Sequence, residues 1–247
     1  MSVPATSLEA IWHDVECGAY SADLPLWVEI ASQAGGPVLE LGAGTGRVAL
    51  RLAEAGLDVV ALDLSAPLLD GLRERAASRG LALETVRADA RRLELDRDFA
   101  AILAPMQFVH LLGGAAVRAA LLNEARRHLG SGGVFAAAVL ADYASAGEVE
   151  PGLPPLPDVR ELDGWIYSSL PIAVAAVAGG IEIRRLRQVV TPDGELSEQT
   201  DSIHLDRLSA GEFEGEAKAA GLRLRERIEI AATDDHVGST ICVLEAV

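Results

Sequence analysis

The chain has 247 residues, half of them hydrophobic and 23% charged, which suits one α/β domain with an ample core and excludes any need for a metal or disulfide staple. Its formal charge of −16 repels a phosphate backbone, so nucleic acid is a disfavoured partner, with Arg184, Arg185 and Arg187 the best basic patch. Cys17 and Cys242 stand at opposite ends and point to a reducing cytoplasm, while an acidic start and a longest apolar stretch of only Leu170 to Ala178 argue against a signal peptide or a membrane span.

Leu8, Ile11, Trp12 and Val15 recur at helical spacing, and a second helix is predicted from about Leu24 to Ala34, stopping at Gly35-Gly36-Pro37. Val38 to Leu41 is a short apolar strand that runs directly into Gly42-Ala-Gly-Thr-Gly46. A helix from Arg47 to Ala55, a strand from Val59 to Leu62 closed by Asp63, and a helix from Ser65 to Ser78 with Pro67 in its first turn follow. Strands at Leu83 to Val86, Phe99 to Ala104 and Val134 to Leu140 flank a helix from Ala115 to Leu129. Strands alternating with helices in this way specify a parallel sheet covered on both faces.

From Glu150 the pattern changes. The proline-rich connector PGLPPLPD leads into three strand-like runs, Trp165 to Val177, Ile181 to Val190 and Leu196 to Leu205, separated by the hairpin signals Ala178-Gly-Gly180 and Pro192-Asp-Gly194. A helix from Ser209 to Ala220 and strands at Leu222 to Ile230 and Ser239 to Val247 complete the chain.

The strand, glycine turn and helix at Val38 to Arg47 let a ligand approach the backbone closely, because glycine carries no Cβ. Asp63 closes the next strand about 20 residues on, where a doubly wound fold places a carboxylate on ribose hydroxyls. Asp89 follows the third strand, near the expected position of a base edge. A nicotinamide dehydrogenase needs G-x-G-x-x-G to bring a helix N-terminus to a pyrophosphate. Here the third glycine comes one residue early, and an acid, Glu40, precedes the turn.

With these residues in place, the sequence resembles the class I S-adenosylmethionine-dependent methyltransferases. VLELGAGTGR looks like their first motif, ALDLS their second, and RADAR the loop that meets adenine. The resemblance implies S-adenosyl-L-methionine as cofactor. It puts Glu40 near the methionine ammonium, and Gly42, Ala43, Gly44 and Gly46 under the methionine moiety. Asp63, with Leu64 beside it, falls on the ribose, and Asp89 and the Ala90 backbone on adenine. AGLRLRERIEI and DHVGSTICVLEAV look like the family's sixth and seventh strands, which pair as an antiparallel edge. A Tyr in the N-terminal segment of similar enzymes touches the methionine end, a role open to Tyr20 beside simple packing.

The fourth strand ends in Ala104-Pro-Met-Gln-Phe-Val-His110, at the carboxyl edge where ligands bind. Pro105 borders the cofactor there, and His110 and Gln107 are the candidate catalytic side chains, with a scaffold role favoured for His110. Pro105-Met106-Gln107 supplies neither the tetrad of amino-methylating nucleic-acid enzymes nor hard oxygen ligands, so no metal site is expected. His13, on the first helix, is expected to be exposed, as is His204 on the third inserted strand; His236 reads as a polar loop residue. Trp165 and Tyr167 share one face of the insert and either line a pocket or pack it on the core.

The expected fold is therefore a Rossmann-like doubly wound α/β domain: a seven-stranded, mostly parallel sheet with an antiparallel edge, an N-terminal helical lid and an antiparallel β insertion. One domain is expected to hold N-terminal helices at 1–36, a cofactor-binding core at 37–150, the insertion at 158–207, and the last helix and strands at 208–247. The expected activity is metal-independent methyl transfer to an O or N atom of a small-molecule acceptor. In resembling enzymes such insertions build the acceptor site or a homodimer contact. A non-catalytic S-adenosylmethionine-binding homologue and an enzyme acting on protein or tRNA are the alternatives.

Overall fold

The computed structural model describes residues 6–140, 156–233 and 236–247. The expected connector at 151–158 therefore lies, up to residue 155, outside the described residues, as do Asp234 and Asp235. Two helices come first, α1 (Leu8–Cys17) and α2 (Leu24–Ala34). Ser7 caps α1 by accepting from the Ala10 amide, and Gly35 closes α2 in the left-handed conformation that glycine adopts without strain.

The main sheet contains β1 (Val38–Leu41), β2 (Val59–Asp63), β3 (Glu84–Arg87), β4 (Phe99–Ala104), β5 (Leu129–Leu140), β10 (Leu222–Ile230) and β11 (Ser239–Ala246). Its order is β10-β11-β5-β4-β1-β2-β3. β1 is parallel to β2 and β4, and β11 runs antiparallel to both β5 and β10, forming the antiparallel edge. The helices α3 (Ala49–Glu54), α4 (Ala66–Ser78), α5 (Ala115–His128) and α6 (Ala210–Ala219) complete the layers.

Alternation along the strands divides the core in two. Leu39, Leu41, Leu62, Ile102 and Phe135 point to one face, against Leu121 and Phe213. Val38, Val59, Leu103 and Ala136 point to the other, against Trp27, Leu52 and Leu72. Glu40 shares the second face with Val38, so a carboxyl group ends a stripe that is otherwise apolar.

The insertion is a four-stranded antiparallel sheet of β6 (Asp158–Leu162), β7 (Trp165–Val177), β8 (Gly180–Val190) and β9 (Leu196–Asp206). Three of its strands match the sequence reading. The fourth, β6, was not expected, because its five residues, Asp158-Val-Arg-Glu-Leu162, show no strict alternation and follow a proline-rich run. The turn that joins it does carry one: Asp163 and Gly164 both have positive φ, 51° and 80°, the geometry that favours Asp-Gly in two-residue hairpins. A register shift between Pro171 and Ala173 interrupts β7 where proline cannot donate to the ladder.

α1 packs between the inserted sheet and the glycine turn that follows β1. Trp12 meets Tyr167 edge to face, with ring centroids 5.6 Å apart. Glu16 accepts from Ser169 Oγ at 2.7 Å and from the Arg187 guanidinium at 2.8 and 2.9 Å. Trp165 packs into the same cluster. Among the described residues no helix is long and apolar enough to cross a membrane.

Candidate functional site

β1 delivers the chain into a turn whose three glycines, Gly42, Gly44 and Gly46, all have positive φ. At two of them close approach also demands glycine. A Cβ on Gly42 would stand 2.4 Å from the Phe108 ring, and one on Gly44 would stand 2.3 Å from His13 Nε2. α3 begins only at Ala49, not at Arg47, because Gly44 to Val48 are spent in turns.

Three of the turn's amides are committed within the protein. Ala43 N–H donates to Leu62 O at 2.9 Å and Gly46 N–H to Ala43 O at 2.9 Å. Gly44 N–H donates to Asp63 Oδ2 at 2.8 Å. A pyrophosphate site needs such donors aimed at the ligand, so the turn is ill suited to a dinucleotide.

Glu40 is 3% exposed, and its Oε2 has no hydrogen-bond partner among the described residues. Desolvation pushes the carboxyl up to about 8, although Arg47 and a bond from the Ala49 amide pull the other way. A buried acid with an open oxygen is costly unless something completes it. A fixed ammonium group is the fitting partner, so these residues suit the methionine end of the cofactor that the resemblance implies.

Asp63 ends β2 with both oxygens engaged, Oδ2 by Gly44 and Oδ1 by the Ser65 amide at 2.9 Å. Each carboxylate oxygen keeps a second acceptor position for a hydroxyl. Asp89, after β3, holds Arg91 through Oδ1 and Oδ2 and accepts from the Arg91 amide at 2.9 Å. Leu64 is exposed beside Asp63, and Ala90 and Pro105 are buried.

The N-terminal segment is clamped over this turn. Arg47 grips Asp23 with two bonds, 2.5 and 2.7 Å, and donates to Tyr20 O at 3.0 Å, while Trp27 Nε1 also donates to Asp23. Tyr20 is buried between the Arg47 guanidinium, 5.2 Å from its ring centroid, and the His236 ring, 4.6 Å away. His13, expected to be exposed, is instead half-buried on Gly44, because α1 docks across the turn. Asp14 and Thr45 join it there, and sequence reasoning missed both. The signal available was that a His-Asp pair follows the inward-facing Ile11 and Trp12.

At the end of β4, Met106 has a φ of 54°, a rare conformation for a residue with a side chain. It turns the chain so that half-buried Gln107 precedes the short helical turn Phe108–His110. His110 is fully buried, with Nδ1 2.9 Å from Asp206 O and Nε2 accepting from the Leu140 amide at 3.1 Å. Both ring nitrogens thus join backbone segments, which is scaffold geometry. His204 is exposed, 3.6 Å from Asp206.

The arginines of β8 are neutralised. Arg184 faces Glu182, Arg185 faces Asp158, and Arg187 lies between Glu16 and Asp201. They offer little to a phosphate backbone.

Residues 38–133 match a family described as a methyltransferase domain. Over 113 residues the chain is 38% identical to a cypemycin N-terminal methyltransferase from a Streptomyces species, covering 45% of each chain. The match thus spans less than half the length of the curated relatives. Among solved structures, the CcbJ methyltransferase of Streptomyces caelestis superposes with a TM-score of 0.68 at 24% identity, covering 93% of this chain and 98% of that one. The sugar N-methyltransferase KedS8 of a Streptoalloteichus species gives 0.73 at 18% identity over 98% of each chain. At these identities the structural likeness is one of fold.

Proposed function

We propose that the chain, whose 38–133 segment matches a methyltransferase domain and whose fold is shared with S-adenosylmethionine-dependent methyltransferases, is a class I enzyme of that kind that methylates a nitrogen or oxygen atom of a small molecule without a metal. The observation that carries the reading is the buried, half-satisfied Glu40 beside a glycine turn tied to Asp63. Glu40 would hold the methionine ammonium, Asp63 the ribose hydroxyls, and Asp89 with the Ala90 backbone the adenine edge. When bound, S-adenosylmethionine supplies an electrophilic methyl group on a cationic sulfur.

The protein's part is position and exclusion of water. The clamp of Arg47 on Asp23 holds the lid segment over the turn, and α1 closes the space above Gly44. Orientation of a nucleophile in such a dry site contributes about 7–11 kcal/mol. A small acceptor is favoured because the arginines that would meet RNA are already paired. The names of two relatives, an N-terminal and a sugar N-methyltransferase, support an amine acceptor. The two free cysteines fit a cytoplasmic setting.

The test is conversion of S-adenosylmethionine to S-adenosylhomocysteine with a panel of amines, amino sugars and phenols, with and without EDTA. Acceptor-dependent turnover that survives EDTA is expected. Turnover abolished by EDTA and restored by Mg²⁺ would remove metal independence, and binding without turnover of any acceptor would favour the non-catalytic homologue.

A further inference from the structure

His13 sits on the helix that covers the glycine turn, and its ring fills the space directly above Gly44, Nε2 and Cε1 being the atoms that a Cβ there would meet at 2.3 and 2.5 Å. Its other nitrogen, Nδ1, lies 3.1 Å from Thr45 Oγ1. The Thr45 hydroxyl donates to Asp14 Oδ1 at 2.6 Å. A hydroxyl has a single proton, so with that proton spent on Asp14, Thr45 Oγ1 can only accept from His13. Nδ1 therefore carries the ring proton, and Nε2 presents a lone pair at the turn.

Asp14 is itself immobilised. Arg75 donates to Oδ1 at 2.8 Å and again to Oδ2, and Arg160 from the inserted sheet reaches Oδ2 at 2.6 Å. Asp14 and Thr45 are both nearly fully buried. Three elements thus fix one imidazole in one tautomer, an arrangement far more specific than packing a helix on a turn requires.

We propose that His13 Nε2 is the proton acceptor for the methyl-accepting group, with Thr45 and Asp14 as positioning residues that set its tautomer; this rests on the methyl-transfer reading above. As the acceptor's N–H or O–H proton passes to Nε2, leaving its bonding electrons on the nitrogen or oxygen, that atom attacks with its lone pair. That pair forms the bond to the methyl carbon as the carbon–sulfur pair returns to sulfur, and the imidazolium then releases its proton to solvent. A base contributes about 10²- to 10⁴-fold when it is neutral at working pH. Burial holds the ring below the ordinary histidine value. Asp14 on α1 and Asp63 at the end of β2 oppose that shift, and Arg75 on α4 and Arg47 after the turn reinforce it.

The test uses the whole chain labelled with ¹⁵N-histidine and long-range ¹H–¹⁵N spectra, the resonances of His13 being assigned by their disappearance in His13→Gln. The free protein at neutral pH is expected to show Nδ1 protonated and Nε2 unprotonated. Two ligands follow: S-adenosylhomocysteine, and sinefungin, which carries an amine where the sulfonium methyl stands. The His13 Nε2 resonance should move toward the hydrogen-bonded position with sinefungin and not with S-adenosylhomocysteine. Thr45→Val should mix the two tautomers. A ring protonated at Nε2, or an Nε2 resonance identical in the two complexes, would overturn the proposal. Calorimetry in parallel separates the layers: if neither ligand binds, the methyl-transfer reading falls and takes this role with it.

Discussion

Asp63 illustrates how one side chain carries two duties. Its oxygens hold the amides of Gly44 and Ser65, so it shapes the turn, and the proposed function adds the ribose hydroxyls as a second duty. Asp63→Ala leaves both amides without partners, and a hydrogen bond to a charged group is worth about 1.5–3 kcal/mol. Asp63→Ala should lower unfolding stability by roughly that amount and weaken S-adenosylhomocysteine binding tenfold or more. Asp63→Asn should fall short of a benign change, since an amide has one acceptor oxygen for two N–H donors. Chemical denaturation and calorimetric titration of both variants check this; wild-type affinity in the folded Ala variant would take Asp63 out of the site. Glu40 gives a pH signature. Its carboxyl stands at about 8 in the free protein, so it withdraws stability as pH rises from its ordinary range through that value. A bound ammonium favours the carboxylate, so binding should release a proton below about pH 8 and weaken by up to about tenfold per unit as pH falls. Glu40→Gln should abolish that slope, which titrations in buffers of different ionisation enthalpy will read.

At the scale of elements, α1 couples the inserted sheet to the glycine turn. Its Glu16 holds Ser169 and Arg187 while His13 and Asp14 hold the turn. Glu16→Ala should cost about 1.5–3 kcal/mol and speed hydrogen exchange in α1, β7 and β8 while sparing β1 and β4. Uniform acceleration across the main sheet would show that the two sheets do not move separately. The same helix marks where sequence reading ran out. The glycine turn and the acids closing β1 and β2 are local, a strand and its next few residues, and periodicity exposes them. The meeting of His13 and Asp14 with Thr45 spans some thirty residues and depends on how α1 docks. A half-buried histidine and an exposed one look identical in a helix of this length. β6 was lost for a different reason, since five residues without strict alternation need a partner strand to mean anything.

Across the whole molecule, a parallel sheet covered on both faces followed from alternation of strands with helices, the antiparallel edge followed from the family resemblance, and the strand order came only with the structure. The open oxygen on Glu40 was not legible, because it is a property of burial. If the cleft binds the cofactor, ligand and fold are linked. At a hundredfold excess over its dissociation constant, S-adenosylhomocysteine should add about 2.7 kcal/mol. For a chain of this size that is roughly 5–11 °C in melting temperature. NADH should give no such shift, given amides already committed within the turn. The opposite pattern would overturn the cofactor assignment.

Asp206, the last residue of β9, is a rivet. Its carboxylate accepts from the Gly113 and Gly114 amides and from Arg118, and its carbonyl lies against His110. Arg118 in turn binds Glu216 on α6. All of these contacts lie at the base of the inserted sheet, away from its hairpin at Pro192-Asp-Gly194. The opposite end is fastened separately, where Tyr167, Trp165 and Val189 pack against Ile11 and Trp12 of α1. A sheet riveted at both ends can lose one fastening and still be held against the core by the other.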